Sequence, residues 1–222
     1  MQFLYHKESG EELLNISGDE YKYLFRVRRK KLGSLLEMRN LKDDKLSIYR
    51  VKSISKREAY LELVSNQESI VEPKRKLHIG WCIIDPKIVE KALPTLNETG
   101  VGKITFIKCA YSQANFKIKK ERIEKILINS CQQCGRSSLM QIDFANSLSE
   151  FLSKNPNSFL LDFSKNRVTA YSDIETIVVG CEGGISDDER VLFDTQKRVG
   201  FETPLILRSE SAASAIAAKI VL

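Results

Sequence analysis

The fold of this chain is indicated most clearly by residues 177–189, which read Ile-Val-Val-Gly-Cys-Glu-Gly-Gly-Ile-Ser-Asp-Asp-Glu. The apolar run 177–179 predicts a buried strand, and Ser186 with Glu189 three residues later predicts a capping box that begins a helix. Between them stands Gly180-Cys181-Glu182-Gly183-Gly184. Glycines let a backbone approach a ligand closely, and open α/β sheets bind ligands at the ends of strands. Glycines after a strand also form plain tight turns, so the loop alone leaves both interpretations open.

A second segment, Leu205-Ile206-Leu207-Arg208-Ser209-Glu210, predicts a short strand over 205–207 that runs directly into a helix rich in small residues. Arg208 and Glu210 stand at the junction. Charged side chains at a strand end are costly unless they have a task or pair with each other. A functional pair and a simple Arg–Glu ion pair both remain possible on this pattern.

Outward from these segments, residues 77–222 alternate strands with helices, which predicts an α/β domain with a mostly parallel sheet. The predicted strands are 77–84, 104–109, 159–163, 177–179 and 205–207, and the predicted helices are 86–98, 118–133, 187–198 and 209–219. The earlier residues instead predict strands at 35–40, 45–55 and 59–64, with one helix capped by Ser17 and Glu20. We therefore predict a small, mostly β domain over 1–71, a charged linker over 72–76 and the α/β domain over 77–222.

Positive charge is concentrated in the first domain. The chain has a formal net charge of +6, and residues 1–76 carry 17 Lys/Arg against 12 Asp/Glu. Clustered positive charge is typical of proteins that bind a polyanion such as nucleic acid, and equally of a solvated basic surface with no partner.

The cysteines favour reduced thiols. Their odd number, five in 222 residues, argues against a disulfide framework. Cys131 and Cys134 form a C-x-x-C pair, but no second pair exists, and His6 and His78 lack ligand spacing. We expect helix-end thiols here and no metal or redox site. The N-terminus has no signal-peptide pattern and no apolar window is long enough to cross a membrane, so we expect a cytoplasmic protein.

Taken together, these segments resemble the RsmE family, the 16S ribosomal RNA uracil-N3 methyltransferases of the SPOUT class, over nearly the whole chain. The family's Gly-Pro-Glu-Gly-Gly with following acidic residues is similar to residues 180–189, and its Arg-Ile-Leu-Arg-x-Glu-Thr-Ala is similar to residues 205–212. Four further matches occur in the family's order: Arg26-Val27-Arg28-Arg29 before Gly33, Glu98-Thr99-Gly100-Val101, Gln132-Gln133-Cys134-Gly135-Arg136 and Gly200-Phe201.

The chain departs from the family pattern at four positions. Cys181 replaces a Pro, Gln132 a Glu, Leu205 an Arg, and Thr95 stands where a Lys is common. The family holds its cofactor there mostly through main-chain groups, so the changes at 181 and 205 preserve the expected binding. The changes at 95 and 132 leave no role to carry over to those side chains.

The resemblance implies a PUA-like β-barrel domain followed by a SPOUT α/β domain with a C-terminal trefoil knot, working as a homodimer. It implies S-adenosylmethionine as methyl donor, no metal, and uridine 1498 of 16S rRNA in the assembled small ribosomal subunit as substrate. The residues implied at the cofactor are Leu161, Asp162, Gly180, Cys181, Glu182, Gly183, Gly184, Leu205, Ile206, Leu207 and Ser209.

Methyl transfer to N3 of uracil requires that the N3 proton leave, so a base or a cation that stabilises the developing anion is needed. We expect Arg208 and Arg136 to stabilise that anion or hold phosphate. Glu210 would either accept the proton or only orient Arg208. In the first domain, phosphates would be held by Arg26, Arg28, Arg29 and Lys30, which gives affinity without sequence specificity.

Two other classes of protein compete with this interpretation of the sequence. A non-catalytic RNA-binding or ribosome-assembly factor that kept the fold is compatible with the changes at 95, 132 and 205. A nucleotide-binding α/β enzyme is not favoured, because residues 180–184 match neither the dinucleotide-binding nor the P-loop spacing.

Overall fold

A computed structural model describes residues 2–113, 117–170 and 172–222. The chain forms two compact units. Unit 1 comprises Met1–Glu72 and Ile128–Leu139, and unit 2 comprises Pro73–Leu127 and Met140–Leu222. The first boundary lies within the predicted linker. The return of residues 128–139 to unit 1 was not predicted, because the sequence analysis assigned them to the α/β domain.

Unit 1 is built on a five-stranded sheet. Its strands are β1 (Leu4–Tyr5), β2 (Leu13–Ser17), β3 (Leu35–Arg39), β4 (Lys45–Ile54) and β5 (Glu58–Glu68), in the order β1-β3-β4-β5-β2. Only β1 and β3 pair in parallel; the other pairs are antiparallel. Alternate residues of the strands point into one apolar core, in which Ile16, Tyr49 and Leu61 are fully buried.

The first helix of unit 1 differs from its prediction. Helix α1 (Gly18–Tyr21) follows β2 directly and continues as a π-helix, Lys22–Val27. Ser17 makes no side-chain capping hydrogen bond, so the predicted capping box at Ser17 and Glu20 is wrong. Ser17 is instead the last residue of β2, paired with Glu58.

The late segment Ile128–Leu139 belongs to unit 1 because of its contacts. Cys131 is fully buried in a second apolar cluster with Phe3 and Leu41, and Ile128 packs against it. Ser137 donates a hydrogen bond to Asp44 (Oγ–Oδ1 2.6 Å). These contacts link residues far apart in sequence, and the spacing of apolar residues could not reveal them.

Unit 2 is built on a six-stranded parallel sheet, which confirms the predicted mostly parallel α/β domain. The strands are β6 (His78–Cys82), β7 (Lys103–Ile107), β8 (Gln141–Ala145), β9 (Phe159–Leu161), β10 (Thr176–Val179) and β11 (Arg198–Val199). Their order is β11-β9-β10-β6-β7-β8. The chain therefore moves from β6 outward to β8 and then crosses to the other side of β6. Ligands bind at the carboxyl ends of strands where the order reverses in this way.

The helices of this part of the chain are α2 (Pro86–Thr99), α3 (Lys120–Cys134), α4 (Leu148–Lys154), α5 (Asp187–Arg190) and α6 (Ser209–Val221). Helix α2 begins after Asp85, which accepts a hydrogen bond from the Lys87 N–H, and ends at Gly100 in a left-handed conformation. Helix α6 packs against α2 and β10. Among the described residues, no helix is long and apolar enough to cross a membrane.

Several predicted elements change or were missed. Residues 205–207 form no strand, and the predicted helix 187–198 is divided into α5, a 3₁₀ turn at Thr195–Lys197 and strand β11. Strands β1, β2 and β8 and helix α4 were not predicted. Strands β1 and β11 have only two residues each, which is too short for an alternating pattern to be recognised.

Two of the five cysteines are joined, contrary to the expectation of reduced thiols. Cys82, the last residue of β6, forms a disulfide with Cys109, two residues beyond the end of β7. The two strands are parallel neighbours, so their ends bring the two Cα atoms to 5.7 Å. Within the described residues, Cys131, Cys134 and Cys181 take part in no disulfide.

Candidate functional site

A cavity of about 570 Å³ lies in unit 2, at the carboxyl ends of β9 and β10. It is lined by all eleven residues expected at the cofactor: Leu161, Asp162, Gly180, Cys181, Glu182, Gly183, Gly184, Leu205, Ile206, Leu207 and Ser209. These residues come from three separate parts of the chain, which follow β9, β10 and β11. Ligand pockets in proteins typically measure about 300–1,000 Å³, so the cavity has room for a small-molecule cofactor.

The glycine loop 180–184 folds tightly on itself. The Gly184 N–H donates to the Cys181 carbonyl at 2.9 Å, and Gly184 has a left-handed φ of +78°. A Cβ on Gly180 would lie only 3.1 Å from the backbone of Gly184, and a Cβ on Gly183 would lie 3.1 Å from Tyr111. Burial raises the pKa of the Cys181 thiol, so this side chain stays neutral at pH 7. Glycine is required here by close backbone packing, beyond simply making a turn.

Ser209, the first residue of α6, ties the two cavity segments together. Its hydroxyl hydrogen-bonds to the Gly180 carbonyl, and it accepts a hydrogen bond from the buried Trp81 indole at 2.8 Å. The start of α6 is thereby fixed to the end of β10 and to the centre of the sheet. The segment that precedes α6 is consequently held against the glycine loop.

The segment 205–207 presents unpaired backbone to the cavity. The peptide groups of Ile206 and Leu207 make no hydrogen bond with any other residue in the described part of the chain, and the Leu205 N–H bonds only the Thr203 hydroxyl. The side chains of Leu205 and Ile206 are 70% and 80% exposed. Because these peptide groups are not paired within the described part of the chain and water reaches them, they are available to hydrogen-bond a ligand in the cavity.

The opposite wall contains residues that the sequence analysis missed. The Arg190 guanidinium donates to Asp162 (Nε–Oδ2 2.7 Å), and Arg167 donates to the carbonyls of Ser164 and Phe201. A Cβ on Gly200 would lie 2.7 Å from the Asp162 carbonyl, which explains the glycine there. The Gly200-Phe201 motif was a feature of the sequence that pointed to this part of the cavity, since Phe201 lines it. Nothing in the sequence linked Arg190 to Asp162.

The capping box predicted at Ser186 and Glu189 is confirmed. Glu189 has a second role, because its other carboxylate oxygen accepts a hydrogen bond from the Ala110 N–H at 2.9 Å. The turn after β7 is thus bound to α5, and its Tyr111 packs against Gly183.

Arg208 and Glu210 flank the cavity but are not part of its wall. Arg208 is exposed at the start of α6, and Glu210 is half-buried in its first turn. Neither side chain forms an ion pair with any residue that the structure describes, so the simple Arg–Glu ion pair is not formed. Both groups are available to a substrate.

The other expected RNA or catalytic residues lie in unit 1. Arg136 is buried, its side chain 7% exposed, and it forms an ion pair with Glu72 (Nη2–Oε2 3.0 Å). Gln132, one of the departures, accepts a hydrogen bond from the Tyr5 N–H at 2.9 Å. Arg26, Arg28 and Arg29 are exposed and Lys30 is half-buried. The cavity therefore brings together the cofactor residues but not Arg136.

A family model described as RNA methyltransferase domain matches residues 71–221. Unit 2 of this chain therefore belongs to the class of RNA methyltransferases. It has the parallel sheet, the glycine loop after β10 and the cavity at the strand ends described above.

The chain is 39% identical to ribosomal RNA small subunit methyltransferase E of Helicobacter pylori strain 26695, over 98% of both chains. It belongs to that enzyme's family. A crystal structure of a Legionella pneumophila methyltransferase with the cofactor SAM has a TM-score of 0.78 at 25% identity, covering 98% of this chain and 95% of that one. Ribosomal RNA small subunit methyltransferase E from Neisseria gonorrhoeae, bound to S-adenosyl methionine, shares the fold with a TM-score of 0.77 at 18% identity and the same coverage. The predicted fold class, a small β domain followed by a SPOUT-type α/β domain, is confirmed.

Proposed function

We propose that this protein is an S-adenosylmethionine-dependent methyltransferase that modifies N3 of a uridine in 16S rRNA of the assembled small ribosomal subunit, in the cytoplasm. The observation that carries the proposal is the cavity of unit 2, because all eleven residues expected at the cofactor line this one cavity. The Helicobacter pylori relative is named as a small-subunit rRNA methyltransferase, and the Legionella pneumophila structure contains SAM.

The cavity is large enough for S-adenosylmethionine and offers it hydrogen-bonding groups and apolar walls. The peptide groups of Ile206 and Leu207 would hydrogen-bond an adenine edge, while Leu161 and Leu205 supply apolar walls. The close packing at Gly180 and Gly183 leaves no space for side chains, which keeps the cradle open to the cofactor. When bound, S-adenosylmethionine would supply the methyl group.

For the chemistry we assign roles to Arg208 and Glu210. Glu210 would accept the proton from N3 of uracil, since a nitrogen lone pair becomes available only when that proton leaves. Arg208 would stabilise the negative charge that develops on the uracil oxygens. That neither side chain pairs with another described residue supports proton acceptance by Glu210 over a role in orienting Arg208.

RNA would be held by the basic segment of unit 1, where Arg26, Arg28, Arg29 and Lys30 would contact phosphates. We no longer assign a catalytic role to Arg136, because its guanidinium is buried against Glu72. We propose instead that this ion pair positions the end of α3.

A homodimer would cover an exposed apolar surface of unit 2. Phe163, Val191, Leu192, Leu205 and Ile206 are all exposed, although large apolar side chains are usually buried in monomers. Phe163, Leu205 and Ile206 also line the cavity, so a second copy seated there would complete the site.

Isothermal titration with S-adenosylmethionine tests this assignment against a non-catalytic assembly factor. We expect saturable binding by the purified full-length protein and weaker binding by Gly180→Ala. Absence of any heat from a folded preparation would support the assembly factor.

A further inference from the structure

A second cavity, of about 470 Å³, lies wholly within unit 1. Leu4, Leu24, Met38 and Ile128 give it apolar walls, and Leu24 and Met38 are almost completely buried. Polar groups surround these walls, among them the Glu20 carboxylate and the exposed Gln133 amide. An apolar cavity with a few polar groups is the ordinary form of a binding site for a flat organic ligand.

The backbone beside this cavity has two rare conformations in succession. Tyr23 and Leu24, which line the cavity, belong to the π-helix Lys22–Val27, and Arg29 has a left-handed φ of +53°. π-Helices and left-handed residues other than glycine are uncommon and cluster at functional sites. The Arg28 N–H donates to the Tyr23 carbonyl at 2.8 Å, which maintains the wider turn.

The same segment carries unneutralised positive charge. Residues 22–36 contain six Lys/Arg and no Asp/Glu. Lys22 pairs with Asp19, but within the described ranges no ion pair is formed by Arg26, Arg28, Arg29, Lys30 or Lys31. Arg28 and Lys30 line a smaller cavity of about 210 Å³, which shares Leu4 and Leu24 with the larger one. The smaller cavity is also lined by Glu37, so its two cations outnumber one carboxylate. An apolar cavity therefore adjoins one with an excess of positive charge.

We propose that unit 1 holds one unpaired nucleotide of the RNA, with its base in the larger cavity and its phosphate on Arg28 and Lys30. This nucleotide is not the uridine that is methylated, and the inference rests on the proposed function for its RNA. The ring of Tyr23, 36% exposed at the cavity, stacks on the base. Proteins recognise single-stranded RNA by this combination of base stacking and a positively charged backbone path.

The polar groups of the cavity favour a base with an exocyclic amino group. Glu20 offers a carboxylate acceptor, 3.8 Å from the His6 ring nitrogen, and carboxylates accept hydrogen bonds from amino groups such as cytosine N4. The exposed side chain of Gln133 makes no hydrogen bond within the described part of the chain, so its amide is available as well. Uracil has no amino group, so the site discriminates against it.

Fluorescence anisotropy with labelled single-stranded oligo(A), oligo(C) and oligo(U) of equal length tests the site on the full-length protein. Oligo(A) or oligo(C) is expected to bind more tightly than oligo(U), and Glu20→Gln is expected to reduce that difference. Tyr23→Ala is expected to weaken binding by about tenfold or more, the loss of one stacked base, while Tyr23→Phe retains it. The matched control is Tyr60→Ala, which removes another exposed tyrosine of unit 1.

Salt dependence tests the phosphate part of the site. Arg28→Ala is expected to reduce the slope of log affinity against log salt by about 0.7, the value for one phosphate contact on a single strand. Arg57→Ala, an exposed arginine on the turn before β5, is expected to leave the slope unchanged. An unchanged slope in Arg28→Ala overturns the phosphate assignment.

Failure of this inference and failure of the proposed function give different results. If the protein methylates small subunits while Tyr23→Ala and Glu20→Gln bind all oligonucleotides like the wild type, the inference is overturned. If no methylation occurs but binding depends on Tyr23, the nucleotide site stands and the proposed function fails. Should Tyr23→Ala not fold, photocrosslinking of wild type with an 8-azidoadenosine oligonucleotide decides: crosslinks to Tyr23 or its cavity neighbours support the site, and crosslinks elsewhere overturn it.

Discussion

At the scale of single residues, the proposed chemistry depends on Glu210. We predict that Glu210→Gln lowers the single-turnover methylation rate by about 10²- to 10⁴-fold, the usual contribution of general-base catalysis, while S-adenosylmethionine affinity is retained. Rapid-quench kinetics with prebound cofactor would measure it. The control is Glu202→Gln, an exposed carboxylate that does not line the cavity. An unchanged rate in Glu210→Gln would exclude proton acceptance.

His78 makes stability depend on pH. Burial, and after it the positive charge of Lys103, lowers the pKa of His78 to about 4. Between that value and the ordinary pKa of 6.5 the unfolded chain binds more protons, so His78 favours the folded state above pH 6.5 and this contribution is lost as pH falls towards 4. We predict that the free energy of unfolding falls by on the order of 3 kcal/mol as pH decreases across this window. Urea unfolding at a series of pH values measures it. The free energy of unfolding of His78→Gln should depend less on pH. If it depends on pH as steeply as that of the wild type, His78 is not the group responsible.

Sequence patterns predicted side-chain hydrogen bonds only where the two bonded residues are close in sequence. The box at Ser186 and Glu189 formed as predicted, whereas the same spacing at Ser17 did not, because β5 pairs with Ser17 and holds it in the sheet. The Asp162–Arg190 ion pair joins residues 28 positions apart, and only the fold brings them together. The eleven residues expected at the cofactor were implied by the family resemblance, since composition and periodicity contain no information on ligand identity.

At the scale of elements, the glycine loop after β10 is the most sensitive part. We predict that Gly180→Ala weakens S-adenosylmethionine binding by at least about tenfold, ~1.4 kcal/mol, because the added Cβ meets the Gly184 backbone at 3.1–3.3 Å. Calorimetry on both proteins measures the change. Gly102→Ala is the matched control, since its Cβ would meet only the Leu77 carbonyl, at an ordinary 3.5 Å. Equal affinity for all three proteins would disprove the backbone cradle.

The ends of β6 and β7 are joined by the Cys82–Cys109 disulfide. Thiol titration of the denatured protein without reductant should therefore find three thiols, from Cys131, Cys134 and Cys181. Reduction should lower the free energy of unfolding by about 3–4 kcal/mol, because the bond closes a loop across a sequence separation of 27. Cys134→Ser, the control, should show two thiols and unchanged sensitivity to reductant. A count of five in the wild type would contradict the bond.

The longer strands and helices, such as β4 and α2, were predictable, whereas several short elements and the cavity-facing segment 205–207 were not; β2 was missed although its residues alternate, because Ser17 was taken as a helix cap. Residues 205–207 have the apolar character of a strand, but they lie open at the cavity with no neighbouring strand to pair with. Their apolar side chains line the cavity and the exposed surface around it, so they are not evidence of a buried strand. The π-helix Lys22–Val27 was likewise outside any pattern that hydrophobic spacing reveals.

At the scale of the whole molecule, the two units divide the expected tasks. The cavity proposed for S-adenosylmethionine lies in unit 2, and the basic segment with the cavity proposed for a nucleotide lies in unit 1. The sequence predicted the order of a β domain and an α/β domain, because their periodicities differ. It did not predict that 128–139 would pack in unit 1, since Cys131 packs against Phe3 and Ser137 bonds Asp44, partners that lie far earlier in the sequence.

The exposed apolar surface of unit 2 leads to a prediction on assembly. Val191→Asp should convert a dimer into a monomer, because a buried unpaired carboxylate strongly disfavours association. Light scattering coupled to gel filtration measures the mass. Val64→Asp, at an exposed valine on β5, should remain dimeric. A wild-type protein with the mass of one chain at all concentrations would contradict the proposed homodimer.

The central claim is that the cavity of residues 180–184 and 205–207 serves methyl transfer to rRNA. The most direct measurement is incubation of the full-length protein with labelled S-adenosylmethionine and small ribosomal subunits that lack the modification, followed by nucleoside analysis of the 16S rRNA. We predict label in N3-methyluridine, and none with Glu210→Gln on the same time scale. Label in a different nucleoside would contradict the N3 assignment, and no incorporation by a preparation that binds S-adenosylmethionine would contradict the enzyme.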